Sequence, residues 1–178
     1  MESILYVDDE ESNLTVFEAA FEDYYDVHLA SSGREALELL GERPVQVVIT
    51  DVRMPGMDGI ELLSSIIPDH PETVRMILTG YTDVASVIQA INEGKVYRYI
   101  SKPWDERELR VIIDRACDHH AQITKHRRLL ADVQEQIKKE ELITLRAELE
   151  TAAAQQAAAS MGIFGCCYNP VNERGLEI

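Results

Sequence analysis

The sequence contains few cysteines and no long apolar segment. Three cysteines in 178 residues, at positions 117, 166 and 167, are too few for a disulfide framework. No apolar run approaches the roughly 20 residues that a membrane-spanning helix needs. The N-terminal Met1–Ser3 also lacks the basic region that begins a signal peptide. These absences predict a cytoplasmic protein with no membrane association.

Basic residues are scarce as well. The chain has 17 Lys and Arg against 32 Asp and Glu, a net charge of −15. The imbalance lies in residues 1–120, with 24 acidic and 10 basic residues, whereas residues 121–160 hold six of each. Because acidic surfaces repel phosphates, we expect no direct nucleic-acid binding. No G-x-x-x-x-G-K-[ST] loop occurs, so a nucleotide switch of that type is disfavoured.

The first 120 residues alternate between two kinds of segment. Short apolar runs indicate five buried strands, at residues 4–7, 27–29, 45–49, 74–78 and 97–100. Apolar residues at helical spacing indicate five helices, at residues 14–21, 36–40, 60–67, 84–91 and 109–116. Gly41 and Gly94 are expected just past helix ends. This alternation predicts a doubly wound α/β domain with a five-stranded parallel sheet.

Polar residues follow the predicted strands, at the sheet edge where such folds bind ligands. They are Asp8 and Asp9 after the first strand, Thr50 and Asp51 after the third, Thr79 after the fourth, and Ser101 and Lys102 after the fifth. Neighbouring carboxylates repel one another unless a cation lies between them, and Mg²⁺ suits a few carboxylates plus phosphate oxygens. The site is therefore predicted to transfer phosphoryl groups: Asp51 as nucleophile, Lys102 as a positive charge and Thr79 as a hydroxyl donor.

Four motifs resemble, in order, the receiver domain of two-component response regulators: Val7–Glu10, Asp51–Gly59, Leu78–Gly80 and Tyr99–Pro103. The resemblance covers residues 1–118 and implies a flavodoxin-like receiver fold. It implies further that Asp51 is the phosphorylated aspartate, Asp9 a direct Mg²⁺ ligand and Asp8 a ligand through water. The backbone carbonyl of Arg53 is implied as another metal ligand.

The same resemblance assigns the switching residues. Thr79 is implied as the hydroxyl that moves toward the phosphoryl group, and Tyr99 as the aromatic rotamer switch. Lys102 matches the family's lysine, and the peptide before Pro103 is expected to be cis.

The residue at position 53 distinguishes a receiver domain from a phosphohydrolase that also uses an aspartate nucleophile. A haloacid-dehalogenase-like phosphohydrolase needs a second carboxylate two residues after its nucleophile, and Arg53 stands there instead. By resemblance, Arg53 and Tyr81 flank the path of the hydrolytic water and tune the lifetime of the phosphoryl group. Because both side chains are bulky, we expect a long-lived phosphorylated form.

The pattern changes after the receiver-like region. Residues 105–160 contain no Pro or Gly, and Ile123, Leu130 and Ile137 recur every seven residues with Val133 between them. A helix of this length measures about 80 Å, and its apolar stripe needs a partner. A homodimeric coiled coil is favoured over packing against the chain's own domain. The predicted divisions are a receiver domain at 1–118, a coiled-coil extension at 119–160 and an unassigned tail at 161–178.

The predicted function is a phosphoacceptor switch whose chemistry is limited to its own phosphorylation and dephosphorylation. A sensor histidine kinase or phosphotransfer protein donates the phosphoryl group, and the altered surface and dimeric coiled coil carry the signal. An alternative remains open: residues 80–105 resemble receivers attached to effectors, so the chain is alternatively the N-terminal regulatory part of a cyclic-dinucleotide phosphodiesterase or protein phosphatase.

Overall fold

The computed structural model describes residues 1–80, 88, 91–93 and 95–164. The chain divides into two compact units, residues 1–127 and residues 128 onward. Within the described residues, no helix combines the length and the apolar character needed to cross a membrane.

The first unit is built on a five-stranded parallel sheet in the order β2-β1-β3-β4-β5. Its strands are β1 (Ser3–Val7), β2 (Asp26–Ala30), β3 (Val47–Asp51), β4 (Val74–Thr79) and β5 (Arg98–Ser101). Every residue of β1 is buried, as expected for a central strand covered on both faces. The predicted α/β fold with a five-stranded parallel sheet is confirmed.

Helices cover both faces of the sheet. They are α1 (Glu11–Phe21), α2 (Gly33–Glu42), α3 (Gly59–Ser65) and a C-terminal helix (Glu106–Phe164). One core packs Leu5, Val7 and Val48 against α2 and α3. The other packs Ile4, Tyr6 and Ile49 against α1 and the start of the C-terminal helix. Alternate residues of β1 therefore pack into the cores on opposite faces of the sheet.

Some predicted boundaries were wrong. Strand β3 begins at Val47 rather than at residue 45, although Val45 is buried beside it. Gly41 lies inside α2, which continues to Glu42, because a glycine near a helix end costs too little to stop the helix. Most of the predicted helix at 84–91, and Gly94, lie outside the described residues.

Side-chain hydrogen bonds cap the N-termini of α2 and α3. The Ser32 side chain accepts a hydrogen bond from the Glu35 backbone N–H at the start of α2. Asp58 and Glu61 form a reciprocal capping box at the start of α3. Such caps satisfy backbone N–H groups that have no partner inside the helix. The capping box therefore fixes the point at which the loop after β3 ends and α3 begins.

The C-terminal helix contacts the sheet domain well beyond its first turns. Leu109, Ile113 and Ala116 are buried in the core of the first unit. Further along, Thr124 donates a 3.4 Å hydrogen bond to Glu72, and Arg127 forms a 3.2 Å ion pair with the same carboxylate. The compact first unit accordingly ends at Arg127.

The second unit exposes its apolar side chains. Leu130 and Ile137 are 63% and 49% exposed, and Val133 between them is also exposed. Ion pairs at i, i+4 spacing, Glu135 with Lys139 and Arg146 with Glu150, lie on the helix surface. Such pairs contribute only a few tenths of a kcal/mol each, roughly 0.3–0.5 kcal/mol.

Candidate functional site

The predicted polar residues lie at the carboxyl ends of adjacent strands. Asp8 directly follows β1, Asp51 ends β3, Thr79 ends β4 and Lys102 directly follows β5. The Lys102 backbone N–H donates a 2.8 Å hydrogen bond to the Thr79 carbonyl, which extends the pairing of β4 with β5 by one residue. The Lys102–Pro103 peptide is cis, as the resemblance implied. This edge of the sheet brings together residues that are far apart in sequence.

Lys102 joins two of the aspartates. Its Nζ lies 2.7 Å from Asp8 Oδ2 and 2.8 Å from Asp51 Oδ1. Burial alone lowers the pKa of Lys102, but hydrogen bonds and attraction from Asp51 and Asp8 outweigh it and raise the pKa above its ordinary value. The Lys102 side chain is 26% exposed, so its ammonium group lies between solvent and the buried carboxylate of Asp8.

Asp8 is the most buried charge of the site, with 1% of its side chain exposed. Its Oδ1 accepts hydrogen bonds from the Glu10 backbone N–H and from Asn13 Nδ2, at 3.0 and 2.9 Å. Its Oδ2 accepts from the Tyr6 hydroxyl and from Lys102, both at 2.7 Å. Burial raises the pKa of Asp8, but these four donors prevail and hold it below its usual range. Asp8 is therefore a stably ionised carboxylate.

Two members of this network, Tyr6 and Asn13, were not predicted from the sequence. Tyr6 lies two residues before Asp8, so strand alternation puts both side chains on one face of the sheet. Asn13 lies in the first turn of α1 and reaches back to the end of β1. The spacing of Tyr6 was a usable signal, whereas the Asn13 contact depends on how α1 packs.

Asp51, the candidate nucleophile, is positioned by the backbone of the loop that follows it. Asp51 Oδ2 accepts a 2.7 Å hydrogen bond from the Arg53 backbone N–H, and Asp51 Oδ1 contacts Lys102. Gly59 packs directly under this residue, because a Cβ built there would lie 2.0 Å from the Asp51 carbonyl oxygen. The Gly59 N–H also donates to the Val52 carbonyl at 2.9 Å. Close backbone packing thus sets the position of Asp51.

The donors present suit a hard divalent cation. Asp9 is exposed and lines, with Arg53 and Asp58, a cleft of about 510 Å³ beside Asp51. In the described part of the chain, no three His, Cys, Asp or Glu side chains are grouped to hold a metal by themselves. Mg²⁺ does not require that, because it is commonly bound by one or two carboxylates and completes its shell with water and phosphate oxygens. Asp9 and Asp51 fit this pattern.

The predicted switch residues are present at the same edge but do not touch Asp51 through any described hydrogen bond. Thr79 is buried, and its hydroxyl donates a 3.3 Å hydrogen bond to the adjacent Gly80 carbonyl. Tyr99 is 49% exposed, and the pairing of β4 with β5 places it opposite Ile77. The predicted lifetime residue Arg53 is exposed at the cleft, and Tyr81 lies outside the described residues.

The parallel sheet and the acidic, lysine-containing edge define the flavodoxin-like receiver class of signalling domain. Residues 4–114 match the family model described as the response regulator receiver domain. The chain belongs to this family, which confirms the resemblance found in the sequence. Receiver domains of this family generally use Mg²⁺ and pair with histidine kinases or phosphotransfer proteins.

Known proteins similar to this chain include a transcriptional regulator and a solved structure with an enzyme's name. The hydrogenase transcriptional regulatory protein HoxA of Cupriavidus necator is 39% identical over 102 residues, covering 57% of this chain and 21% of HoxA. A solved structure titled adenylate cyclase from Rhodopirellula baltica is 32% identical with a TM-score of 0.71, covering 72% of this chain and 96% of that one.

A third similar protein is the signal receiver domain of an HD domain-containing protein from Pseudomonas fluorescens Pf-5. It is 39% identical with a TM-score of 0.65, and the match covers 68% of this chain and 98% of that one. In contrast, the chain spans only about a fifth of the length of HoxA. The similarity therefore concerns the receiver and leaves the output of the whole protein to be proposed.

Proposed function

We propose that this chain is a phosphoacceptor switch in which Asp51 takes a phosphoryl group from a phosphohistidine of a sensor kinase or phosphotransfer protein. A carboxylate oxygen of Asp51 forms the new bond to phosphorus as the P–N bond breaks. The imidazole nitrogen leaves with the electron pair and takes up a proton. Hydrolysis of the resulting acyl phosphate by water restores Asp51 and releases inorganic phosphate.

The observation that carries this proposal is the contact of Lys102 Nζ with both Asp51, at 2.8 Å, and Asp8, at 2.7 Å. A cation beside the nucleophile is positioned to follow the negative charge onto a phosphoryl oxygen attached to Asp51. Asp51 and Asp8 together raise the pKa of this lysine and so keep it charged. The Arg53 N–H holds the other Asp51 oxygen and so orients the carboxylate.

We assign the metal-binding role to Asp9 and Asp51 directly, to the Arg53 carbonyl, and to Asp8 through water. Mg²⁺ bound there supplies positive charge that offsets the phosphoryl oxygens. Asp8 already accepts four hydrogen bonds, so a bridging water has to displace or share one of these donors. This feature is consistent with an indirect role for Asp8 and disfavours direct ligation.

Switching is assigned to Thr79 and Tyr99. The Thr79 hydroxyl bonds only weakly at present, at 3.3 Å to a neighbouring carbonyl, so a phosphoryl oxygen is a stronger acceptor for it. Movement of Thr79 opens space on the sheet face that Tyr99 shares, and Tyr99 is half-exposed. Arg53 and Tyr81 are proposed to slow hydrolysis. An Arg53→Ala, Tyr81→Ala double variant that loses phosphate no faster than the wild type would contradict this assignment.

The phosphoacceptor assignment is tested with acetyl phosphate and Mg²⁺, followed by intact-protein mass spectrometry. We expect one phosphoryl group on the wild type, removed by hydroxylamine as an acyl phosphate, and none on the Asp51→Asn variant. Asp58→Asn is a matched control, because it removes a neighbouring carboxylate of the cleft and only weakens the cap of α3. Equal phosphorylation of wild type and Asp51→Asn would refute the proposal.

For the output, we propose that the chain acts in the cytoplasm as a homodimer joined through the C-terminal helix. The exposed stripe containing Leu130, Val133 and Ile137 supports this, because a helix with an uncovered apolar stripe gains stability from a partner. Sedimentation equilibrium with and without Mg²⁺ and beryllofluoride tests whether phosphorylation controls assembly. A change of mass in the wild type but not in Asp51→Asn would show control, and a monomer under all conditions would refute the dimer.

The alternative, a regulatory part of a larger effector protein, is favoured because the match covers only 21% of HoxA and because the similar structures carry the names of effector proteins. One is titled an adenylate cyclase and another an HD domain-containing protein. HoxA is named a transcriptional regulator. The acidic residues 1–120 argue against a role in DNA contact for the receiver itself.

A further inference from the structure

We infer that Tyr6 is a positioning residue of the phosphoacceptor site, whose hydroxyl competes with the metal shell for Asp8 and thereby weakens Mg²⁺ binding. The inference rests on the proposed function, since it assigns a role toward the cation that Asp51 chemistry needs. Nothing in the four receiver motifs includes position 6.

The Tyr6 hydroxyl and Lys102 Nζ contact the same oxygen. Each lies 2.7 Å from Asp8 Oδ2. A carboxylate oxygen offers about two acceptor positions, and Asp8 Oδ1 is likewise engaged by two donors. Asp8 therefore has no acceptor position left for a metal-bound water unless one of its present donors withdraws.

The tyrosine ring is fixed in place, so its hydroxyl cannot swing away at little cost. Tyr6 is almost fully buried, and its ring stacks on Phe17 with centroids 4.1 Å apart. Phe17 in turn contacts Phe21 and Trp104. The other donors to Asp8 are less confined, because Lys102 and Asn13 are only partly buried. Of the two donors on Oδ2, the hydroxyl is therefore the permanent one.

A hydrogen bond to a carboxylate also draws electron density from it. Asp8 with the Tyr6 hydroxyl is a poorer partner for a cation-bound water than Asp8 without it. Replacing Tyr6 by Phe keeps the stacked ring and removes only the donor. We expect the Tyr6→Phe variant to bind Mg²⁺ more tightly, by on the order of tenfold, since one charge-assisted hydrogen bond is released.

Tyr25→Phe is the matched control. Tyr25 is also buried and belongs to the same aromatic cluster, and its hydroxyl donates a 2.6 Å hydrogen bond to a carboxylate, Asp114. Asp114 lies in the C-terminal helix and is not a member of the site. Tyr25→Phe also loses a 3.4 Å hydrogen bond to the Arg110 carbonyl. Both variants lose a hydrogen bond to a carboxylate, and only in Tyr6→Phe is that carboxylate Asp8.

The experiment is isothermal titration of the full chain with MgCl₂, with the fluorescence of Trp104, the only tryptophan, as a second reading of the same affinity. The expected result is a lower Kd for Tyr6→Phe and an unchanged Kd for Tyr25→Phe. Asn13→Ala removes another donor to Asp8 and is expected to change the affinity in the same direction. It provides the test if circular dichroism shows that Tyr6→Phe is unfolded.

An affinity of Tyr6→Phe within twofold of the wild type, or weaker, would overturn the inference, as would an equal gain in Tyr25→Phe. Phosphorylation by acetyl phosphate is measured on the same samples to keep the two proposals apart. If the wild type is phosphorylated on Asp51 but Tyr6→Phe leaves the Mg²⁺ affinity unchanged, only the role of Tyr6 fails. If the wild type neither binds Mg²⁺ nor accepts phosphate, the proposed function fails with it.

Discussion

Replacing Gly59 by alanine should damage the site through backbone packing alone. The new Cβ would lie 2.0 Å from the Asp51 carbonyl oxygen, against about 3.4 Å for an ordinary contact, so about 1.4 Å has to be made up by movement. The obstructing atom is backbone and cannot rotate away, and a second contact at 3.0 Å involves the Thr50 side chain. Either β3 or the start of α3 must shift.

The size of the effect follows from two opposing terms. Overpacking a buried site costs about 1–3 kcal/mol, and the backbone clash places this case at the upper end. Alanine recovers up to about 1 kcal/mol of that because it is less flexible than glycine in the unfolded chain. The net loss should be about 2 kcal/mol, or a fall in Tm of about 8 °C at about 4 °C per kcal/mol for a unit of this size.

Urea unfolding, monitored by the fluorescence of Trp104, measures this loss of stability in the first unit. Gly41→Ala is the matched control, because nothing lies within 4 Å of its Cβ and the residue is in α2. That variant should be slightly more stable than the wild type, by up to about 1 kcal/mol. Gly59→Ala should also accept phosphate poorly at temperatures where it is folded. A Gly59→Ala variant within about 0.5 kcal/mol of the wild type would refute the packing argument.

Four further outcomes are expected. Lys102→Met leaves the buried Asp8 carboxylate without its cation and should lower the free energy of unfolding by about 1–3 kcal/mol while abolishing phosphorylation; a variant as stable and as active as the wild type would show that the bridge contributes nothing. The pKa of Asp8 is lower in the folded protein than in the unfolded chain, so its contribution to stability is complete above pH about 4 and is lost as pH falls below that value; Asp8→Asn should reduce the slope of Tm against pH in this acid range, and an unchanged slope would disprove it. Burial raises the pKa of Cys117 to about 12, so iodoacetamide should modify Cys117 at pH 8 only after denaturation, as peptide mass spectrometry would show; labelling in the native protein would contradict this. Ile137→Glu should convert the proposed dimer to monomer in sedimentation equilibrium, whereas the neighbouring surface change Lys138→Glu should not; dissociation by both or by neither would argue against an interface at Ile137.

Much of the fold was predictable because its signals are local. The buried strand β1 contains the apolar run from Ile4 to Val7, and the helix covering Leu14, Phe17 and Phe21 has the spacing of one buried face. The alternation of such segments restricts the topology to parallel strands with helical crossovers. The polar residues that end the strands then fall at one edge of the sheet for geometric reasons, so the sequence pattern predicts that Asp8, Asp51 and Lys102 lie together.

Boundaries were less predictable because they depend on small energy differences. Gly41 carries a helix-ending signal, yet it lies inside α2. A single glycine costs roughly 1 kcal/mol, which the surrounding helix and its packing readily offset. The start of β3 at Val47 is decided by its pairing with Ile4 of β1, a partner more than 40 residues away. Local propensity contains no information about that register.

The class of fold, the polar side chains gathered at one edge of the sheet and the apolar strip on the last helix all follow from local patterns in the sequence. Three contacts are set by the folded chain instead: Lys102 touches Asp8 across 94 residues, Tyr6 donates to the same Asp8 oxygen, and Gly59 packs beneath Asp51. These contacts depend on the strand order β2-β1-β3-β4-β5 and on how closely the packed elements approach one another. The physical reason is that hydrogen bonds and steric overlap act at short range in space, whatever the separation along the chain.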